Sequence, residues 1–208
     1  MQTRTEKGGA ASGETVGTGL VIERRFTTVG EDPFDQFEWI EMDVEIRNAD
    51  GSLAHRIDDV RLPSGYSGVP GKVLAQKYLR KAGVPAILRK VAEEGVPEWL
   101  QRSEPDHEKL QTLEPNQRYI GESHGRELFR RLAGTWTYWG WKHGYFEAEA
   151  EARAFFDEMC YLIASQRSAP NSPQWFNTGL HWAYGIEGPA QGHRYIDPST
   201  GELMTSTN

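Results

Sequence analysis

The sequence predicts an α+β fold: an N-terminal β-hairpin region, then helices, then an aromatic stretch rich in turn formers. Three observations carry this prediction. Residues Trp39 to Arg47 alternate apolar and charged side chains with period two, the mark of a strand with one buried face. Residues Glu147 to Arg167 place Ala152, Phe155, Phe156, Met159, Cys160, Leu162 and Ile163 on one helical stripe. Residues Ala169 to Asp197 mix Pro173, Gly179, Gly185 and Gly188 with Trp175, Phe176, Trp182, Tyr184 and Tyr195. Solvated loops are normally polar, so such a stretch is expected to pack within a larger body, close to something it contacts.

Taken in order, residues 1–19 are small, polar and Gly-rich, a composition that predicts a disordered tail. Leu20 to Thr28 reads as a first strand, and Trp39 to Arg47 as the clearest one. Asn48-Ala49-Asp50-Gly51 then reads as a hairpin turn. Ser52 to Val60 is the expected return strand, with Leu53 and Ile57 on its apolar face. Pro63, Gly65, Gly68 and Pro70 punctuate a loop. A helix is expected over Lys72 to Lys81, stopped by Gly83. A second is expected from Pro85 to Gly95, with Ile87, Leu88 and Val91 as its stripe.

Val96 to Arg118 is charged and irregular, and reads as a connector between an N-terminal domain (residues 20–118) and a C-terminal part (residues 119–208). Ser123 is positioned to cap a helix running to Leu132, with Glu127 suiting its first turn. The aromatics concentrate after Gly134, so the core is expected there. Glu147 and Glu151 load the start of the last helix with negative charge, which its dipole favours.

Composition excludes several classes. A formal charge of −7 and a pI near 5.4 argue against a polyanion-binding surface, so no nucleic-acid partner is expected. No apolar run approaches the roughly 20 residues of a membrane span, and the N-terminus has no secretory h-region. The single cysteine, Cys160, allows neither an internal disulfide nor a multi-cysteine metal site, and the expected compartment is the cytoplasm.

Candidate chemistry is sparse. Cys160 sits on an apolar helical face, where a core thiol is expected rather than a reactive one. His181 and His193 lack partners at metal-ligand spacing, and His107, His124 and His143 read as surface or structural. Asp58-Asp59 and Glu93-Glu94 read as solvated pairs. Trp136, Trp139 and Trp141 can stack on a base or sugar, although core packing explains them as well. No phosphate-binding loop, dinucleotide fingerprint or nucleophile elbow is present. The bend at Asn171-Ser172-Pro173 stands out. A hydroxyl fixed beside proline can bind a substrate group at little entropic cost, or simply bond its own loop.

The stretch APNSPQWFNTGLHWAYGIEGPAQGHRYID from Ala169 resembles adenosylcobalamin-dependent (class II) ribonucleotide reductase, in its N-terminal segment. So do RLAGTWTYWGWKHGYF from Arg131, AQKYLRKAGVPA from Ala75 and Asp32-Pro33-Phe34; the likeness covers residues 20–208. It implies that residues 119–208 begin the catalytic domain, as a helical and loop lead-in to a ten-stranded α/β barrel left incomplete here. It implies that Ser172 contacts the ribonucleotide substrate, with Asn177 and Gly179 in the same motif.

The whole enzyme so implied is a ribonucleoside-diphosphate reductase making deoxyribonucleotides for DNA synthesis. Homolysis in adenosylcobalamin yields a cysteine thiyl radical that abstracts the 3′ hydrogen, and the 2′ hydroxyl leaves as water. A thioredoxin-like reductant recharges the redox cysteines. The family's catalytic cysteines have no counterpart in this sequence, and Cys160 matches none of them. The chain is therefore expected to be a fragment, inactive without the remainder of the reductase polypeptide, with most cobalamin contacts outside it. Two other readings stay open: a stand-alone aromatic-rich nucleotide-binding module, or an assembly piece that docks on a separately made reductase chain.

Overall fold

The computed structural model describes residues 19–187, 194–197 and 200–205. It is a mixed α/β chain built from small antiparallel sheets and several helices. Strands β1 (Trp39–Arg47) and β2 (Leu53–Pro63) form the expected hairpin, and the Gly51 N–H closes the turn on the Asn48 carbonyl at 3.0 Å. The return strand holds a surprise. The register moves from Met42↔Val60 to Val44↔Ile57, so Asp58 and Asp59 together oppose the single residue Asp43. This bulge re-phases β2. Strict alternation from Ile57 would bury Asp59 and Arg61; with the extra residue, Val60 and Leu62 are fully buried instead. Leu53, expected on the apolar face, is exposed.

After β2 the helix α1 (Val69–Lys77) begins three residues earlier than expected, because Pro70 starts it rather than ending a loop. The next segment is not the helix expected from Pro85. It forms β3 (Val84–Pro85) and β4 (Leu88–Lys90). The connector and the two residues after it supply the partner strands, β5 (Ser103–Pro105) and β6 (Tyr119–Ile120), with a short helix α2 (His107–Leu110) between them. β3 pairs with β6, and β4 with β5. Partners more than a dozen residues away outweighed a short local helical stripe.

Helix α3 (Gly125–Lys142) runs well past the expected end at Leu132 and absorbs most of the aromatic run. Its cap is His124, not Ser123. The His124 Nδ1 accepts the Arg126 N–H at 3.1 Å, while the Glu127 carboxylate accepts the His124 and Ser123 N–H groups at 3.0 Å each. Helix α4 (Glu149–Ala164) buries Ala152, Phe156, Cys160 and Ile163 as expected, leaving Phe155, Met159 and Leu162 half-buried. Its other buried face is acidic: Asp157 and Glu158 are enclosed.

Those two acids explain why Leu20 to Thr28 is not a strand. The N–H groups of Arg25, Phe26 and Thr27 donate to Glu158 at 3.1, 3.0 and 2.9 Å, and the Thr27 hydroxyl donates at 2.7 Å. Arg24 pairs with Asp157 at 2.8 Å. Only Leu20 makes a β-bridge, to Phe146. The expected disordered tail and His193 fall outside the described residues, apart from Gly19.

The chain continues into α5 (Ser172–Asn177), α6 (Leu180–Tyr184), β7 (Arg194–Ile196) and β8 (Leu203–Thr205). The core is not confined to the aromatic half. Phe34, Val44, Val60, Leu62, Leu74 and Leu79 from the N-terminal part pack with Phe129, Leu132, Phe156, Ile163 and Trp175.

Candidate functional site

The site is built on the short segment that follows α4. Asn171 is the N-cap of α5, with extended backbone, so Ser172 and Pro173 occupy the first helical positions. Proline is tolerated there because no intrahelical N–H bond is required. Trp175 points inward and is 5% exposed. It stacks on Tyr78 at 5.4 Å between ring centroids and meets Phe129 edge-on at 6.5 Å. Phe176, 41% exposed, also lies parallel to Tyr78, at 6.4 Å.

From beneath, Arg131 holds the segment. This arginine is 1% exposed and sits on α3 among Leu128, Phe129 and Leu132. Its Nε donates to Glu122 Oε1 at 2.8 Å, and its Nη2 to Glu122 Oε2 and to the Trp175 carbonyl, both at 3.2 Å. Its Nη1 donates to the Thr178 carbonyl. The last carbonyls of a helix have no intrahelical partner, so the planar guanidinium supplies what α5 lacks at its C-terminal end. Glu122 neutralises it and gathers two further donors. The Tyr184 hydroxyl reaches Oε1 at 2.7 Å, and the Arg80 N–H reaches Oε2 at 2.8 Å. One ion pair thus ties together α3, α5, α6 and the chain just after α1.

The turn into α6 is fitted against α3 at two glycines. Gly179 has φ of 85°, and a Cβ there would collide with Thr135 and the Arg131 carbonyl. At Gly134 a Cβ would clash with the edge of the Trp182 ring, and the Trp182 Nε1 donates to the Leu100 carbonyl at 2.9 Å. These close approaches seat the aromatic stretch on the helix, as its mixture of turn formers and rings predicts.

Ser172 is exposed at the start of α5, and its hydroxyl is 2.9 Å from the Tyr78 hydroxyl. Asn177 is exposed at the other end of the same helix, roughly 7 Å further along its axis at 1.5 Å per residue. The two do not converge on one point. His181 is exposed on α6, and among the described residues no group of His, Cys, Asp and Glu is placed to hold a metal ion. Glu93 is not merely solvated: it accepts the Tyr138 hydroxyl at 2.7 Å and pairs with Lys142, which holds its carboxyl below the usual range. Of the three tryptophans on α3, Trp136 packs against the core, Trp139 is exposed, and Trp141 donates to the Gly95 carbonyl at 2.6 Å.

Sequence reasoning missed Glu122, Arg131 and Tyr78. Only Arg131 left a trace, a charge lying three residues after Leu128 on an otherwise apolar stripe. Burial pushes the Cys160 thiol well above its ordinary range, which fits a core thiol and not a reactive one.

A family model described as class II vitamin B12-dependent ribonucleotide reductase matches residues 41–166. A vitamin B12-dependent ribonucleotide reductase of Bradyrhizobium diazoefficiens is 56% identical over 185 residues, covering 89% of this chain and 15% of that protein. One of Agrobacterium fabrum is 55% identical, covering 89% of this chain and 14% of its own length. One of Streptomyces avermitilis is 30% identical over 182 residues, again spanning 15% of that protein. The chain therefore spans about 15% of the length of the relatives it matches. Over that span, it belongs to the class II vitamin B12-dependent ribonucleotide reductase family.

Proposed function

We propose that this chain is the N-terminal part of a cobalamin-dependent ribonucleoside-diphosphate reductase and supplies one side of its substrate shelf. The observation that carries the reading is the mounting of α5. Trp175 and the Arg131–Glu122 pair fix the helix from below, while its first residue, Ser172, keeps a hydroxyl at the surface. Such pre-organisation removes much of the entropic cost of binding a polar ligand group. Asn177 is the second substrate-binding residue of the proposal. Residues 20–118 form the N-terminal domain in this reading, and residues 119–208 begin the ten-stranded barrel.

The cofactor of the complete enzyme is adenosylcobalamin, which when bound supplies a carbon-centred radical. The described residues do not fit it on their own. The one histidine on α6 is solvent-facing, the single cysteine is sealed in the core, and a cleft of about 720 Å³ is lined by charged groups such as Glu31, Asp32, Arg130 and Arg153. We place the cofactor, with the thioredoxin-like reductant and the reactive cysteines, on the remainder of the reductase polypeptide, in the cytoplasm.

One observation favours a second reading, an assembly module without catalysis. Leu20, Trp136, Trp139, Tyr145, Phe146 and Phe155 line an apolar trough of about 550 Å³. The deciding experiment joins this chain to the rest of a family reductase and compares Ser172→Ala with the unsubstituted chain. A KM for the ribonucleotide raised about three- to tenfold is expected, the worth of one neutral hydrogen bond. Unchanged affinity and turnover would remove Ser172 from the shelf. Activity without this chain at all would favour the assembly reading.

A further inference from the structure

We infer that Tyr78 is a ribonucleotide-binding residue that acts as a pair with Ser172, an inference that rests on the substrate-shelf reading above. Tyr78 comes from the N-terminal half, immediately after α1, yet its hydroxyl sits 2.9 Å from that of Ser172, 94 residues later in the chain. Each hydroxyl has one proton and lone pairs to offer. The bond between them consumes one proton and one lone pair. What remains is one O–H donor and several acceptor sites, side by side at the surface. That set matches a group that both donates and accepts, as a sugar hydroxyl does.

The pair is held rather than merely adjacent. The Tyr78 N–H closes the end of α1 on the Leu74 carbonyl at 2.9 Å, and Leu79 beside it is buried. The Arg80 N–H is fixed by Glu122, the same carboxylate that anchors Arg131 under α5. Both hydroxyls are therefore referred to one buried ion pair. The Tyr78 ring lies parallel to Trp175 on the buried side and to Phe176 on the exposed side. The exposed Phe176 ring gives a ligand an apolar wall next to the two hydroxyls. A tyrosine serving only as a staple between α1 and α5 would need the hydroxyl bond but not the open face.

The test is calorimetric titration of the chain with cytidine diphosphate, using Tyr78→Phe, Ser172→Ala and the double variant. Phenylalanine keeps the ring stack and removes only the hydroxyl. Each single change is expected to weaken binding about three- to tenfold. The double variant should lose less than the product of the two, because the hydroxyls act together. Binding by Tyr78→Phe equal to the unsubstituted chain, with Ser172→Ala weakened, overturns the inference and leaves the shelf reading standing. No effect from either change overturns both. No binding by the unsubstituted chain at millimolar nucleotide overturns the inference for this chain. Without any substitution, the Tyr78 ring resonances should shift on titration with the calorimetric affinity, and resonances that stay fixed also overturn it.

Discussion

At Arg131 one guanidinium satisfies a carboxylate and two backbone carbonyls in a place water does not reach. Its loss would leave Glu122 without its countercharge, held only by the Tyr184 hydroxyl and the Arg80 N–H, and would take the guanidinium donors from the Trp175 and Thr178 carbonyls. Arg131→Met is therefore expected to cost about 3–5 kcal/mol, the range for breaking a buried pair from one side. Urea unfolding checks this, and Glu122→Gln combined with Arg131→Met should cost clearly less than the two single losses added. Arg131→Lys should recover little, because one compact ammonium cannot span the four acceptor atoms that the planar guanidinium reaches. His124 makes a prediction in pH. Burial first, then Arg126, Arg61 and Arg130, hold its pKa below the ordinary 6.5. The folded state therefore prefers the neutral ring, whose Nδ1 must accept the Arg126 N–H. Protons bind the unfolded chain first, so this contribution is whole above 6.5 and is lost as pH falls through the lower folded value. Going from about pH 7.5 to about pH 5.5, the native chain should lose more stability than His124→Asn, which keeps a cap without the titration. Equal losses in urea would show that the imidazole is not the titrating element.

Among the elements, β1 and α4 were legible because each carries its own period over nine or more residues. The β2 bulge was not, since it depends on Asp43 and Arg56 across the hairpin. The Arg56 Nη2 donates to Asp43 at 2.8 Å, and the Asp59 N–H donates to Asp43 at 3.3 Å. Helix α6 shows the same dependence. It is five residues long and has little intrinsic stability, so its place comes from Trp182 lying against Gly134. Gly134→Ala is expected to cost about 1–3 kcal/mol by overpacking and to shift the tryptophan emission toward that of a solvated indole. Trp182→Leu in the same chain should return part of that loss. An unchanged melting temperature in Gly134→Ala would mean that α6 can retreat from α3 freely.

For the molecule as a whole, the shared core makes a prediction about cooperativity. The N-terminal hairpin, α1, α3, α4 and Trp175 contribute to one apolar cluster, and Glu158 clamps the segment at residues 25–27 onto α4. Unfolding should therefore appear as a single transition, coincident by far-ultraviolet circular dichroism and tryptophan fluorescence. Two separated transitions on either side of residue 118 would break that expectation. The same clamp weakens in acid. Burial raises the Glu158 pKa, but the Thr27 hydroxyl and the backbone N–H groups of Phe26, Arg25 and Thr27 outweigh it, so the carboxyl lies below its usual range. The clamp's contribution is present above the ordinary value of 4.5 and fades as pH falls through the folded value.

The sequence by itself determined the hairpin, the long amphipathic helix, the buried thiol of Cys160 and the packed character of the aromatic stretch. Each of these follows from the spacing or burial preference of neighbouring residues, and such signals are local. It also located Ser172 at a proline-fixed bend. Only the tertiary structure decided that Pro85 ends a short strand instead of beginning a helix, that Arg25, Phe26 and Thr27 give their N–H groups to a carboxylate, and that Tyr78 meets Ser172. The physical reason is common to all three. A backbone or hydroxyl group takes whichever partner folding brings within about 3 Å, and that partner lies far away in the chain, where no local period records it.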